Sequence, residues 1–242
     1  MICKPRRAPS ITEFFPNAIL EPMMTLEPND AHVWIFPTDI STDRCAELRK
    51  ILSPDEVART GRIRFIASRG ELRIRLASYC GTRPERLSFG VGPHGKPFLR
   101  EPATPIQFNL SHSGSLVALV VTSGIPCGID IERVRSKISD QALAQRFFCS
   151  RENEWLRSLP EDQMRHGFFR LWSVKESILK ADGRGISASL SAIDASGVMD
   201  GTSSLVSSFW VTELNVAEGY TSALAVENRA PKIRFFPENS PA

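Results

Sequence analysis

The order of apolar and polar residues along the chain divides it into short strands and amphipathic helices. His32-Val33-Trp34-Ile35-Phe36 is an apolar run ended by Pro37 and predicts a strand. Asp43 to Leu52 predicts a helix with Leu48, Ile51 and Leu52 as its apolar stripe. Ser53-Pro54-Asp55-Glu56 predicts another helix start: a capping serine, proline at the first helical position, and acids in the first turn. Arg59, Arg62, Arg64, Arg69, Arg73 and Arg75 then interleave with apolar residues, as on a helix with a solvated basic face. Gly90 to Pro97 is rich in glycine and proline and predicts a loop that presents Lys96. Leu116 to Val121 is continuously apolar, as in a strand buried on both faces, and Ser123-Gly124-Ile125-Pro126 supplies a turn. Cys127 to Glu132 is the next strand, and the two read together as a β-hairpin. Gln141 to Leu156 and Phe168 to Ala181 predict helices, the second ended by Gly183 and Gly185. Short strand-like runs follow at Ser208–Val211, Tyr220–Val226 and Lys232–Phe235. The fold class is α+β with mostly antiparallel strands.

Composition narrows the functional classes. A chain of 242 residues has room for one sizeable domain or two small ones, and residues 1–30, with five prolines, read as an N-terminal tail. Apolar residues at 42% and charged residues at 24% are ordinary for a soluble enzyme, and the net charge of +3 singles out no partner. The scattered cysteines Cys3, Cys45, Cys80, Cys127 and Cys149 contain no C-x-x-C pair, so neither a zinc ribbon nor a disulfide framework is indicated. Reduced thiols, no secretory leader and no bilayer-spanning run predict a cytoplasmic protein without a membrane partner. A nucleic-acid site on the Arg59–Arg75 stripe lacks interleaved stacking aromatics, so no nucleic acid is expected.

The candidate chemistry lies in Gly128-Ile129-Asp130-Ile131-Glu132. The strand period turns Ile129 and Ile131 to the core and Asp130 and Glu132 to the opposite face. Two adjacent carboxylates repel and resist burial unless a cation lies between them. A third acid, Glu176, sits on a helix with Lys180 one turn on. Three carboxylates suit a hard divalent ion such as Mg²⁺, which keeps positions for substrate phosphates. Lys96 and the polar run Ser111-His112-Ser113 are candidates to meet those phosphates.

Gly128-Ile129-Asp130-Ile131-Glu132 and Trp172-Ser173-Val174-Lys175-Glu176-Ser177-x-x-Lys180 resemble the two signature motifs of the 4′-phosphopantetheinyl transferases. Upstream, Gly95-Lys96-Pro97 and Asn109-Leu110-Ser111-His112-Ser113 are similar to the larger, surfactin-synthetase-activating type. The resemblance implies two similar α+β halves related by a pseudo-twofold, here residues 31–124 and 125–242, with coenzyme A bound between them in a monomer. It implies transfer of the 4′-phosphopantetheine arm of coenzyme A to a serine of an apo acyl, polyketide or peptidyl carrier protein, with release of 3′,5′-ADP. It implies Mg²⁺, or Mn²⁺, on Asp130, Glu132 and Glu176. By the same likeness Glu176 takes the serine proton, directly or through a water, Lys180 stabilises or protonates the departing phosphate, and Lys175 assists. Gly95, Lys96 and Pro97 match the loop at the nucleotide's 3′-phosphate, with His112 as a second ligand and Ser111 beside the pyrophosphate. Arg59 and Arg69 match residues at the nucleotide end, and Glu152 one in or near the outer shell of the metal. The chain departs from this type in one respect: the run from Arg64 to Arg69 is several residues shorter. That departure supports an alternative, a catalytically impaired module that binds coenzyme A or a carrier protein.

Overall fold

The computed structural model describes residues 23–58, 62–135, 140–183 and 190–236. Four layers run through it: a helix, two sheets face to face, and a second helix. The first sheet has the order β10–β1–β5–β4, from β1 (Asp30–Pro37), β4 (Ile106–Ser113), β5 (Leu116–Ser123) and β10 (Lys232–Phe236). The second has the order β6–β9–β8–β7, from β6 (Cys127–Arg133), β7 (Ser204–Val206), β8 (Phe209–Glu213) and β9 (Tyr220–Glu227). A separate hairpin joins β2 (Ser88–Val91) to β3 (Pro97–Glu101). All pairings are antiparallel except β1 with β10, so the last strand returns to the first sheet. The fold is α+β, as the pattern of positions predicts.

Each layer follows from its alternation. Trp34 and Phe36 of β1 pack with Val117, Leu119 and Val121 of β5 under Leu72 and Leu76 of the helix α3 (Ile63–Cys80). The opposite faces of the same strands, through Val33, Ile35, Ala118 and Val120, meet Ile129, Ile131, Leu224 and Val226 of the second sheet. β5 is therefore apolar without interruption because both its faces are buried. The far face of the second sheet, through Val211, Ala223 and Ala225, packs on Phe168, Leu171, Val174 and Ile178 of the long helix α6 (Glu161–Asp182). Ile129 and Ile131 are both fully buried, and burial of such a side chain contributes about 1.5–3 kcal/mol. That fixes the face on which Asp130 and Glu132 emerge, since a slip of one residue would drive both acids into the apolar layer.

Several expectations need correction. β5 and β6 do not form a hairpin: both edges of β5 are taken, by β1 and β4, and β6 pairs with β9 across the second sheet. Gln141 to Leu156 is not one helix but two, α4 (Asp140–Phe147) and α5 (Ser150–Ser158). The chain breaks because Glu152 turns back to accept the Cys149 N–H at 2.8 Å, a capping box that places it in the first turn of α5. The basic face of α3 is not uniformly solvated. Arg73 is 2% exposed and donates to the carbonyls of Pro84 and Leu87 and to Glu56 at 2.8–3.0 Å, since the guanidinium fork satisfies three acceptors at once. At the end of the predicted tail, Met24 and Leu26 pack on the first core, and the Met24 N–H donates to the Ser78 carbonyl at 3.1 Å.

The remaining helices are short. Ser41 caps α1 (Thr42–Lys50), and Ser53 with Glu56 caps α2 (Pro54–Ala58) by reciprocal bonds of 3.3 and 3.0 Å. The long helix starts earlier than its apolar run suggests, with Pro160 at the N-cap, and ends as expected at Gly183, whose φ of 75° is the left-handed cap conformation. Among the described residues no helix is long and apolar enough to cross a membrane.

Candidate active site

The crossing of α6 over β6 makes the site. Gly128 marks the point of closest approach: a Cβ there would run into the Ser177 carbonyl and the Ala181 amide of the helix. Glycine lets the two backbones touch, and so brings the last turns of α6 beside Asp130. Trp172, Glu176 and Lys180 follow at four-residue steps, share one helix face, and line a cleft of about 340 Å³ with Asp130 and Glu132. Leu110, Ser111 and His112 of β4 close the other side, with His112 exposed.

The acids are under electrostatic tension. Asp130 is 3% exposed; its Oδ1 accepts from Lys180 Nζ at 2.6 Å and from Ser111 Oγ at 2.9 Å. Its Oδ2 is buried without a hydrogen-bond partner. Burial pushes the Glu132 carboxyl above its usual range, Asp130 adds to the rise, and a hydrogen bond from Ser113 with the charges of Arg135 and Lys180 opposes it. Glu176 is raised in the same way, by burial first and then by Asp130, with Lys180 opposing. The Glu176–Lys180 pairing that the spacing suggests is replaced by the bond from Lys180 to Asp130, a more buried partner. A buried carboxylate oxygen without a donor, beside two acids whose charged forms burial disfavours, is a donor set that a hard cation fits.

Other predicted residues lie elsewhere. Lys175 is fully buried, 2.5 Å from Glu152 Oε2, and donates to the carbonyls of Phe147 and Leu190. It precedes Glu176 by one position, a rotation of about 100° around the helix, so the two cannot face one ligand. Glu152 is likewise enclosed, its other oxygen accepting the Ala195 N–H at 2.7 Å. Cys149, Glu152 and Asp194 are the one group among the described residues whose potential ligand atoms all fall within 4.8 Å of one another. The oxygens of Glu152 are already satisfied there, whereas in the cleft Asp130 Oδ2 is buried without a hydrogen-bond partner. Lys96 is spent on two carbonyls, Cys127 at the start of β6 and Ala181 near the end of α6, each at 3.0 Å. Burial lowers its pKa, opposed by the neighbouring Cys127 and Asp182. Gly95, with φ 87°, and Pro97 shape the turn of the β2–β3 hairpin that carries it. Arg69 sits on α3 with its Nε 3.9 Å from Glu56 and does not line the cleft. Arg59 lies outside the described residues.

Sequence reasoning missed the role of Asn109 and Ser113. Asn109, Ser111 and Ser113 are alternate residues of β4, and each accepts a backbone N–H of β6: Ile129 at 2.9 Å, Ile131 at 3.4 Å and Arg133 at 3.0 Å. Side chains thus take the place of a strand ladder where the two sheets meet. The signal is a period of two in polar residues, in a run read from the sequence only for candidate phosphate ligands.

A family model described as the 4′-phosphopantetheinyl transferase superfamily matches residues 126–224, a span that contains β6 and α6 and reaches into β9. The 4′-phosphopantetheinyl transferase HetI of Nostoc sp. is 41% identical over 174 residues, covering 68% of this chain and 73% of that protein. The chain belongs to this superfamily. Its class of activity is phosphopantetheinyl transfer, and the cleft acids, Glu176 and Lys180 all fall within the span of the family model. The 4′-phosphopantetheinyl transferase psf-1 of Bacillus pumilus is 36% identical over 166 residues, 66% of this chain and 70% of its own length. The Sfp transferase of Bacillus subtilis is 36% identical over 120 residues, about half of each chain at 49% and 51%.

Proposed function

We propose that this phosphopantetheinyl transferase moves the 4′-phosphopantetheine arm of coenzyme A to a serine of an apo carrier protein and releases 3′,5′-ADP. The observation that carries the reading is the buried, partnerless Oδ2 of Asp130 in a cleft shared with Glu132, Glu176 and Lys180. Asp130, Glu132 and Glu176 would hold Mg²⁺ or Mn²⁺, which when bound neutralises pyrophosphate charge. In the transfer the serine oxygen bonds to the phosphorus that bears pantetheine. The bond from that phosphorus to the bridging oxygen breaks, and its electron pair leaves with 3′,5′-ADP. Glu176 takes the serine proton, a role supported by burial, which raises its carboxyl pKa. Lys180, held between Ser111 and Asp130, offers its ammonium to the departing phosphate. His112, exposed at the rim, and Ser111 remain for the phosphates of the nucleotide. Lys96 enters through the helix it holds, and Lys175 with Glu152 through the packing behind α6.

The test is to incubate the protein with coenzyme A, Mg²⁺ and a panel of apo carrier proteins, followed by intact mass. Addition of one phosphopantetheine to the serine of at least one carrier is expected. No addition to any carrier, despite measurable coenzyme A binding, would favour the binding-module alternative for this chain.

A further inference from the structure

We propose that Ser113 is a positioning residue that fixes the carboxylate of Glu132 for its cation; the inference rests on the reading of Glu132 as a ligand. β4 and β6 meet through a ladder of side chains. A hydroxyl that accepts a backbone N–H has its own proton left to donate, and the ladder determines where that proton points. Ser113 Oγ accepts from Arg133 N–H at 3.0 Å and donates to Glu132 Oε2 at 2.8 Å. Ser111 stands in the same relation to its neighbours, accepting from Ile131 N–H and donating to Asp130 Oδ1. Asn109, the third rung, accepts from Ile129 N–H and touches no acid. The strand register therefore sets two serines against two acids and leaves the asparagine as an internal control.

Glu132 also lies 3.8 Å from Arg135, and the charge of Lys180 reaches it as well. The Arg135 side chain is 58% exposed and also reaches Ser113 at 3.5 Å, whereas Ser113 is 5% exposed. A long exposed side chain costs entropy to hold in place, and a buried hydroxyl bonded to the backbone does not. Ser113 is thus the rigid partner of Glu132. It holds one carboxylate oxygen of Glu132, a residue that lines the cleft, as supporting groups do around metal ligands.

The test is Mn²⁺ titration of the full chain without coenzyme A, followed by electron paramagnetic resonance, with melting temperature read on the same samples. Ser113→Ala and Ser113→Cys should weaken Mn²⁺ binding by about tenfold, while Ser113→Thr, which keeps the hydroxyl, should stay within about twofold. Asn109→Ala should lower the melting temperature and leave Mn²⁺ binding within about twofold, because it removes a rung without touching an acid. Wild-type Mn²⁺ affinity in both Ser113→Ala and Ser113→Cys would overturn the proposal. So would an equal loss in Asn109→Ala, which would make the effect one of sheet register alone. Glu132→Gln separates this result from failure of the underlying reading: unchanged Mn²⁺ binding there would remove Glu132 as a ligand, and the inference with it.

Discussion

Asp130 stands under opposing demands at its two oxygens. One oxygen accepts from a lysine and a serine, the other has nothing, and two further acids face the same cleft. Sites assembled for catalysis are often less stable than their neutral variants. Glu176→Gln should therefore raise the melting temperature, because it removes a carboxyl that burial and Asp130 both disfavour in its charged form. The same variant should lower transfer by about 100-fold, a typical loss for removal of one group acting on developing charge. A fall in both stability and activity would mark Glu176 as a packing residue. A second prediction concerns His32, which is 1% exposed and faces Asp30, Tyr79 and Arg234. Burial holds its pKa below the ordinary 6.5, with Arg234 acting the same way and Asp30 opposing. The folded state prefers the neutral ring, so this contribution to stability is complete above about pH 6.5 and is lost as pH falls toward the folded pKa. Melting temperature should drop across that window, and His32→Gln should flatten the drop; an unchanged slope would contradict the assignment.

At the scale of elements, the site depends on how closely α6 lies on β6. Gly128→Ala should separate them and cost about 1–3 kcal/mol, the range for overpacking, with activity falling through displacement of Lys180 and Glu176. Lys96 secures the same junction from the β2–β3 hairpin. Lys96→Met keeps the apolar stem and removes both bonds to carbonyls, so it should cost about 1.5–3 kcal/mol, the range for bonds from a charged donor. Its effect on transfer should fall on kcat, since the ammonium holds α6. A rise in the KM for coenzyme A alone, at unchanged stability, would return Lys96 to the phosphate site implied by the family resemblance. These two residues also show how far the sequence was legible. The alternation at Ile129 to Glu132 and the glycine stop at Gly183 are local signals, and both elements were readable. Which strand pairs with β6, and where Lys96 points, are set by contacts across much longer stretches of chain. The bond from Lys96 to Ala181 spans 85 residues. Lys175, buried against Glu152, shows a different limit. A motif gives adjacency in sequence, whereas a helix turns adjacent residues to different faces.

At the scale of the molecule, two sheets meet along β4 and β6 through side chains, and the acids emerge at that seam. The last strand, β10, pairs beside β1, so the chain's final described segment stabilises the sheet opposite the one bearing the acids. The cleft thus draws on both sheets and on α6, which agrees with a ligand bound across the seam. The central claim is that Asp130, Glu132 and Glu176 together hold a divalent ion. The most direct measurement is a crystal structure with Mn²⁺ and coenzyme A, with the ion located by its anomalous scattering. The account predicts a peak at about 2.0–2.2 Å from oxygens of all three residues, including Asp130 Oδ2. A peak instead at Cys149, Glu152 and Asp194, or Asp130 still bonded to Lys180 with no ion beside it, would contradict the account.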